Sequence, residues 1–125
     1  MLIHYLKSKI HMAVITEARP DYHGSLTIDR DLMDAAGLAP FEKILVANCR
    51  NGKRLETYVI EGAAGAGDIC LNGAAAHMGA LGDKIIIMAF CAMTPDEAST
   101  HCPKVVHVQA GNRPVLDVPT ETAAR

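Results

Sequence analysis

The stretch "EKILVANCRNGKRLETYVIE", residues 42–61, constrains the fold more than any other in this chain. Two runs rich in β-branched and aromatic residues flank Asn51-Gly52, the dipeptide that supplies the positive φ angles of a type I′ turn. The spacing predicts a hairpin, so the chain must build a sheet. From Leu6 to Val14 the even positions Leu6, Ser8, Ile10, Met12 and Val14 form one largely apolar face. Lys7, Lys9 and His11 fall on the other, the period-two pattern of a strand. "KIIIMAFCAM" (84–93) reads as a buried strand and "KVVHVQAG" (104–111) as a last one. "TIDRDLMDAAGL" (27–38) predicts a short helix capped by Asp29, with Asp31 in its first turn and Gly37 ending it. "TPDE" predicts another, with Thr94 as N-cap, Pro95 at the first position and Glu97 closing a capping box. "EGAAGAGD" (61–68) reads as a flexible connection of small residues, and "ICLNGAAAHMGALGD" (69–83) as a strand end, an Asn-Gly turn and a short helix closed by glycine. Residues 116–125 read as a frayed tail. Short strands, tight turns and a few brief helices predict a small mixed β-barrel, one domain over residues 1–125.

Composition narrows the function classes. Charged residues make up 21% and hydrophobic residues 50%. Globular chains usually carry about 25% charged residues, so apolar surface hidden in an oligomer is expected. The net charge of -2, with no basic block or aromatic RNA-binding motif, argues against nucleic acid as a partner. Cys49, Cys70, Cys91 and Cys102 show no C-x-x-C spacing, and His101-Cys102 is an isolated pair. No metal is expected, and buried free thiols in a reducing cytoplasm are the simpler reading. Lys7 and Lys9 interrupt what a signal peptide would need as an apolar core. The longest apolar run, residues 85–93, falls short of the roughly 20 residues that span a bilayer, so no membrane segment is expected.

Four places could carry chemistry. "DYHGSLTID" (21–29) holds Gly24-Ser25, an ordinary tight turn or a peptide bond open to a serine hydroxyl. It lacks the G-x-S-x-G of a nucleophile elbow, and the nearness of His23 and Asp21 in sequence does not make a triad. Arg54 and Tyr58 share one face of the second hairpin strand, with Thr57 on the other. They make an exposed pair, or an arginine fork for a carboxylate beside a phenol that can donate a proton. In "NGAAAH" (72–77), Asn72 can cap a helix, and Gly73, Ala74 and Ala75 can offer backbone N–H groups to an anion. A plain Asn-Gly turn is the alternative. Lys9 with His11 fits an exposed strand face.

These pieces are not independent. "KSKIHMAVITEARPDYHGSLTID", "NGKRLETYVI" and "NGAAAHMGALGDKIII", in this order and spacing, resemble the pyruvoyl-dependent aspartate decarboxylase family over about residues 1–115. The resemblance implies a mainly-β double-psi β-barrel with a few short helices. It also implies a homotetramer with active sites between neighbouring subunits, and it leaves room for a maturation factor. The implied activity is conversion of L-aspartate to β-alanine and CO₂ for pantothenate and coenzyme A synthesis. It implies self-cleavage between Gly24 and Ser25 into residues 1–24 and 25–125, with Ser25 becoming the pyruvoyl group. Neither metal nor pyridoxal phosphate is then needed. By position, Ser25 is the cofactor precursor and Tyr58 the proton donor. Thr57 serves self-cleavage and substrate contact. Arg54 and Lys9 face the substrate carboxylates. Asn72, with the backbone of Gly73, Ala74 and Ala75, frames the pocket, and His11 and Tyr22 line its wall. His23 stands where family members often carry an acid and Ala47 where they carry a bulky residue, changes that bear on processing rate or pocket shape. A bulged strand, or a pocket shared between subunits, would bring Thr57 to the same site as Arg54 and Tyr58.

The implied chemistry makes physical demands. Attack of the Ser25 hydroxyl on the Gly24 carbonyl turns an amide into a less stable ester, so the step runs uphill. Placement within one chain helps, since effective molarities reach about 10⁵ M or more. Gly24 tolerates strained dihedrals and leaves its carbonyl open. Of the two substrate carboxylates one leaves and one stays. A cation clamped on the leaving group would stabilise the ground state, so Arg54, helped by Lys9, is expected on the one that stays. Two rivals remain: an uncleaved barrel that binds without catalysis, and a hydrolase that uses an intact Ser25.

Overall fold

The computed structural model describes residues 1–115, so the reading of 116–125 as a tail lies outside the described residues. In chain order the elements are β1 (Ile3–Val14), β2 (Glu17–Arg19), β3 (Ser25–Asp29), α1 (Arg30–Ala36), β4 (Lys43–Asn48) and β5 (Arg54–Gly62). They continue with β6 (Ile69–Asn72), a 3₁₀ turn (Gly73–Met78), β7 (Lys84–Met93), α2 (Pro95–Ala98), β8 (Lys104–Gln109) and β9 (Arg113–Pro114). The strands form one mixed sheet in the order β2-β6-β3-β5-β4-β7-β1-β8-β9. The β1–β8, β2–β6 and β3–β5 pairs are parallel and the others antiparallel. The fold is therefore mainly β, a small barrel-like sheet with three short helices among the described residues, in the class the resemblance implied. Ile10, Leu26, Val46, Val59 and Ile87, from five different strands, meet in a single core against Leu32 and Met33 of α1. No helix among the described residues is long and apolar enough to cross a membrane.

Local chemistry sets these elements, with several departures from the sequence pattern. The hairpin forms, but its turn is not type I′. Pairing ends at Ala47 with Arg54, and the Asn48 N–H donates to the Lys53 carbonyl at 2.9 Å. Residues 49–52 thus make a four-residue loop in which Gly52 alone has positive φ, at 74°. Asparagine side chains explain the wider loop. Asn48 Oδ1 accepts from the Arg50 N–H at 2.8 Å, and Asn51 Oδ1 from the Lys53 N–H at 2.9 Å. Such side-chain bonds compete with the two-residue turn.

The apolar face of β1 does not run through to Val14. Met12 takes φ 68°, the ladder with β7 slips between His11 and Ala13, and the buried positions move from Ser8 and Ile10 to Ala13 and Ile15. A bulge flips the faces because side chains alternate with period two. Only the first half of β7 is buried, and Phe90 is 45% exposed. Asp29 caps α1 as expected, accepting from the Asp31 N–H at 2.7 Å, and Gly37 ends the helix in the left-handed region. The Asp29 carboxylate also accepts from the N–H groups of Gly65 at 3.2 Å and Gly67 at 2.6 Å, so the 61–68 connection is pinned to the helix start. The capping box at Thr94 and Glu97 forms, closing the single turn of α2. All four cysteines are free thiols, but only Cys70 is buried; Cys49 and Cys102 are exposed.

Candidate functional site

Ser25 opens β3 after the bend at residues 20–24, and its side chain is 1% exposed. Strand β6 runs antiparallel beside it with Asn72 directly opposite Ser25 and Cys70 opposite Thr27. Paired residues point to the same side of a sheet, so these four side chains share a face. Asn72 Nδ2 donates to Ser25 Oγ at 2.9 Å and to Thr27 Oγ1 at 3.0 Å. Ser25 Oγ donates in turn to the His23 carbonyl at 3.3 Å. The Cys70 thiol donates to Asn72 Oδ1 at 3.0 Å. Burial, reinforced by the charge of Glu17 and opposed by Arg19, pushes this thiol up from its ordinary pKa, which keeps the hydrogen on sulfur. Asn72 therefore does not cap the following turn with its side chain, contrary to the sequence reading, because its amide is spent across the sheet.

Gly73 explains why the next residue is glycine. Its φ is +66°, and a Cβ there would lie 2.6 Å from the Cα and N of Gly24 and 2.8 Å from the Tyr22 carbonyl oxygen. The 3₁₀ turn thus rests directly on the Gly24-Ser25 bend. Gly24 itself is not in the left-handed region, and a Cβ on it would meet nothing within 4 Å. Gly24 thus leaves its surroundings open without using the left-handed region, and the strict need for glycine in the uncleaved chain falls at position 73. Ala75 is buried behind the turn, whereas Ala74 faces solvent. The far end of the turn is tied to the hairpin. Asn48 Nδ2 donates to the Met78 carbonyl at 3.1 Å and to Asp83 Oδ2 at 2.9 Å, and Arg50 Nε donates to Asp83 Oδ1 at 2.6 Å. The Arg50 guanidinium, with Asn48 and the Ala80 N–H, holds the Asp83 carboxyl well below the usual carboxylate range.

Strand β5 lies parallel to β3 on its other side, with Leu26 against Val59. One step back along both strands sets Ser25 level with Tyr58, on the face away from the core. Leu55, Thr57 and Val59 point the other way. The β5 ladders over 54–58 and 59–62 run in register, so no bulge turns Thr57 toward Tyr58, and Thr57 is not among the hydrogen-bond partners of Ser25. The Tyr58 ring sits 6.3 Å from that of Phe41. Arg54 is exposed, four residues or roughly 13 Å along β5 from Tyr58.

Lys9 and His11 lie on β1, and β5, β4 and β7 separate that strand from β3. At about 4.8 Å per strand they are roughly 19 Å along the sheet from Ser25. They do share a face with Arg54: His11, Ile86, Ala47 and Arg54 pair in one row across β1, β7, β4 and β5. Lys9, Met88, Leu45 and Glu56 form the next row. The His11 and His107 rings meet edge-on at 5.7 Å. Tyr22 is 58% exposed beneath the Arg19 guanidinium, 5.4 Å from its ring centre. One chain thus brings Ser25, Gly24, Asn72 and Gly73 together with Tyr58 alongside, whereas Lys9 and His11 lie four strands further along the sheet and Arg54 four residues further along β5. Thr27 and Cys70, which the sequence reading did not single out as site residues, complete the cluster. Each lies two residues from a recognised position on the same strand face, a signal that becomes readable only once β3 and β6 are known to pair.

Comparison with known proteins places the chain in a family. The family model described as aspartate decarboxylase matches residues 1–115. The chain is 57% identical over 113 residues to the aspartate 1-decarboxylase of Caldicellulosiruptor saccharolyticus, covering 90% of this chain and 88% of that protein. It is 58% identical over 108 residues to the aspartate 1-decarboxylase of Dehalococcoides mccartyi strain 195, covering 86% and 87%. With that of Clostridium acetobutylicum it shares 56% over 112 residues, covering 90% and 88%.

Proposed function

We infer that this chain, which belongs to the aspartate decarboxylase family, removes the α-carboxyl group of L-aspartate to give β-alanine, the amine that pantothenate synthesis requires. We propose further that it first cleaves itself between Gly24 and Ser25. The observation that carries this reading is the buried Ser25 hydroxyl held by Asn72 at 2.9 Å, beside a Gly24 backbone against which Gly73 is pressed.

Self-cleavage needs a hydroxyl next to its own peptide bond, donors to settle the oxygen, and nothing bulky over the carbonyl. Ser25 Oγ forms a bond to the Gly24 carbonyl carbon as the C–N bond to Ser25 breaks. Loss of the Ser25 α-hydrogen then breaks the Cβ–O bond and frees residues 1–24 as a carboxylate. Water converts the remaining dehydroalanine to a ketone and ammonia. That last step is irreversible and draws the uphill ester forward. Thr57 faces the core within its own chain, on the opposite face from Ser25, so its part in self-cleavage and substrate contact rests on the family resemblance rather than on a contact to Ser25.

The residues present fit a pyruvoyl group, because its carbon skeleton is that of Ser25 and the backbone of Gly73 packs against Gly24 with no side chain between them. When formed, that group supplies an electron sink for decarboxylation, in place of pyridoxal phosphate. Around it Asn72 keeps a donor directed at residue 25. Tyr58, level with Ser25, gives its phenolic hydrogen to the substrate Cα after CO₂ has left. Arg54 and Lys9 hold the carboxylate that stays. The four-strand offset of Lys9 from Ser25 along the sheet favours a site completed by a neighbouring copy, in line with the homotetramer with sites between subunits that the resemblance implies. The half-buried outward face around Leu45, Ala47, Ile86 and Met88 suits such a neighbour. Exposed free thiols at Cys49 and Cys102 suit a reducing cytoplasm.

Denaturing intact-mass measurement tests the cleavage. A fragment of residues 25–125 lacking a free amine is expected, and Ser25→Ala should remain one chain. Cleavage of Ser25→Ala at the same bond would overturn self-processing. Release of β-alanine from aspartate tests the activity, and an uncleaved chain that binds aspartate without consuming it would favour a binding module instead.

A further inference from the structure

The geometry points to Cys70 as a positioning residue for the Gly24-Ser25 bond, its thiol fixing which end of the Asn72 amide faces Ser25. This rests on the self-cleavage reading and adds a residue to it. An asparagine amide is nearly symmetric in shape, and only its partners decide which end is oxygen and which nitrogen. Around Asn72 two partners, the hydroxyls of Ser25 and Thr27, can donate or accept, and a donor held at the opposite end of the amide is what turns Nδ2 toward them. The third is the Cys70 thiol, 3.0 Å from Asn72 Oδ1. A protonated thiol next to a buried amide prefers the oxygen, and burial keeps this thiol protonated. The choice at Cys70 thus sends both Nδ2 hydrogens to Ser25 and Thr27.

The direction matters for the nucleophile. With Nδ2 donating to it, Ser25 Oγ points its own hydrogen at the His23 carbonyl and keeps a lone pair for the Gly24 carbonyl. The donated bond also stabilises the negative charge that builds on Oγ as its hydrogen leaves. Turned over, the amide would set Oδ1 against Ser25, take up the hydroxyl hydrogen and leave the developing charge without a donor. Cys70 touches neither the scissile bond nor the substrate; it acts through Asn72.

Rescue separates this role from simple packing. Cys70→Ser keeps a donor, whereas Cys70→Ala removes it with little change in volume. Cleavage followed by intact mass from the time of synthesis should slow by roughly 3–10-fold in Cys70→Ala, the worth of one neutral hydrogen bond, and return to within about twofold of the parent in Cys70→Ser. Equal rates in all three chains overturn the role, as does equal slowing in both variants. A second measurement is independent of cleavage. In a Ser25→Ala background, which cannot begin the acyl shift, the Asn72 side-chain amide hydrogens should exchange with water faster when Cys70 is alanine, but not when it is serine. Exchange unaffected by Cys70→Ala overturns the proposal even if cleavage slows. If the parent chain does not cleave at all, the self-processing reading fails, and the exchange measurement alone decides whether Cys70 orients Asn72.

Discussion

Two neighbouring side chains on β5 show how finely function is divided among residues. Tyr58 and Thr57 are adjacent, yet alternation sends one toward the face of Ser25 and the other toward the core. A phenol hydroxyl set beside the reacting carbon can give it a proton. Self-cleavage asks for no such proton. Tyr58→Phe is therefore expected to fold and cleave as the parent does, but to make β-alanine roughly 10²-fold more slowly, the usual worth of a positioned acid. Parent-like turnover with complete cleavage would remove Tyr58 from that role. Gly73 is the sharper structural case. Gly73→Ala puts a methyl group 2.6 Å from the Gly24 backbone and forces φ +66° on a residue with a Cβ. Such a residue in that region costs about 1 kcal/mol or more before any clash. The variant should melt several degrees lower and cleave more slowly than the parent. Gly24→Ala, whose Cβ meets nothing within 4 Å, should leave the melting temperature close to that of the parent.

Between elements, the β4–β5 loop is more than a connection. It wraps the end of the 3₁₀ turn through Asn48, Arg50 and Asp83, and the start of that turn presses on Gly24. The Asp83 carboxyl is held below its ordinary range, first by Arg50. A carboxyl whose folded-state pKa is depressed adds stability that is present above its unfolded pKa, near 3.9, and fades as pH falls toward the folded value. Thermal stability should therefore drop as pH is taken from about 5 down through the acid range. Asp83→Asn should lower the melting temperature at neutral pH while flattening that acid decline. A variant whose acid decline matches the parent would show that other carboxyls carry the effect. Asn51-Gly52 announced the hairpin in the sequence. The width of its loop did not show, because side-chain bonds from Asn48 and Asn51 outweighed the intrinsic preference of the dipeptide.

At the scale of the molecule, the sheet order decides what one chain can do alone. Ser25 and Tyr58 stand on adjacent strands, whereas Lys9 and His11 are four strands along and Arg54 is displaced along β5. If neighbouring copies complete each site, chains with different lesions should rescue one another. Ser25→Ala lacks the cofactor precursor and Arg54→Ala lacks the carboxylate clamp, so each alone should be nearly inactive. Co-expression should restore measurable β-alanine production, with the cleaved fragment derived only from the Arg54→Ala chain. No recovery in verified mixed oligomers would mean that both residues serve the same site from the same chain.

Local order was written plainly in the sequence. The hairpin, the Asp29 and Thr94 caps, the Gly37 stop and the grouping of Lys9 with His11 follow from turn chemistry and side-chain periodicity, which act over a few residues. The family resemblance singled out Ser25, Asn72 and Gly73 from linear spacing alone. What spacing cannot hold is pairing between strands far apart in the chain. The Met12 bulge moved the buried face of β1, Asn72 bonded across the sheet instead of capping its own turn, and Thr27 and Cys70 joined the site because β6 happens to lie antiparallel to β3. Each was decided by register, set when the whole core packs, since a slip of one residue would turn every side chain on a strand to the opposite face.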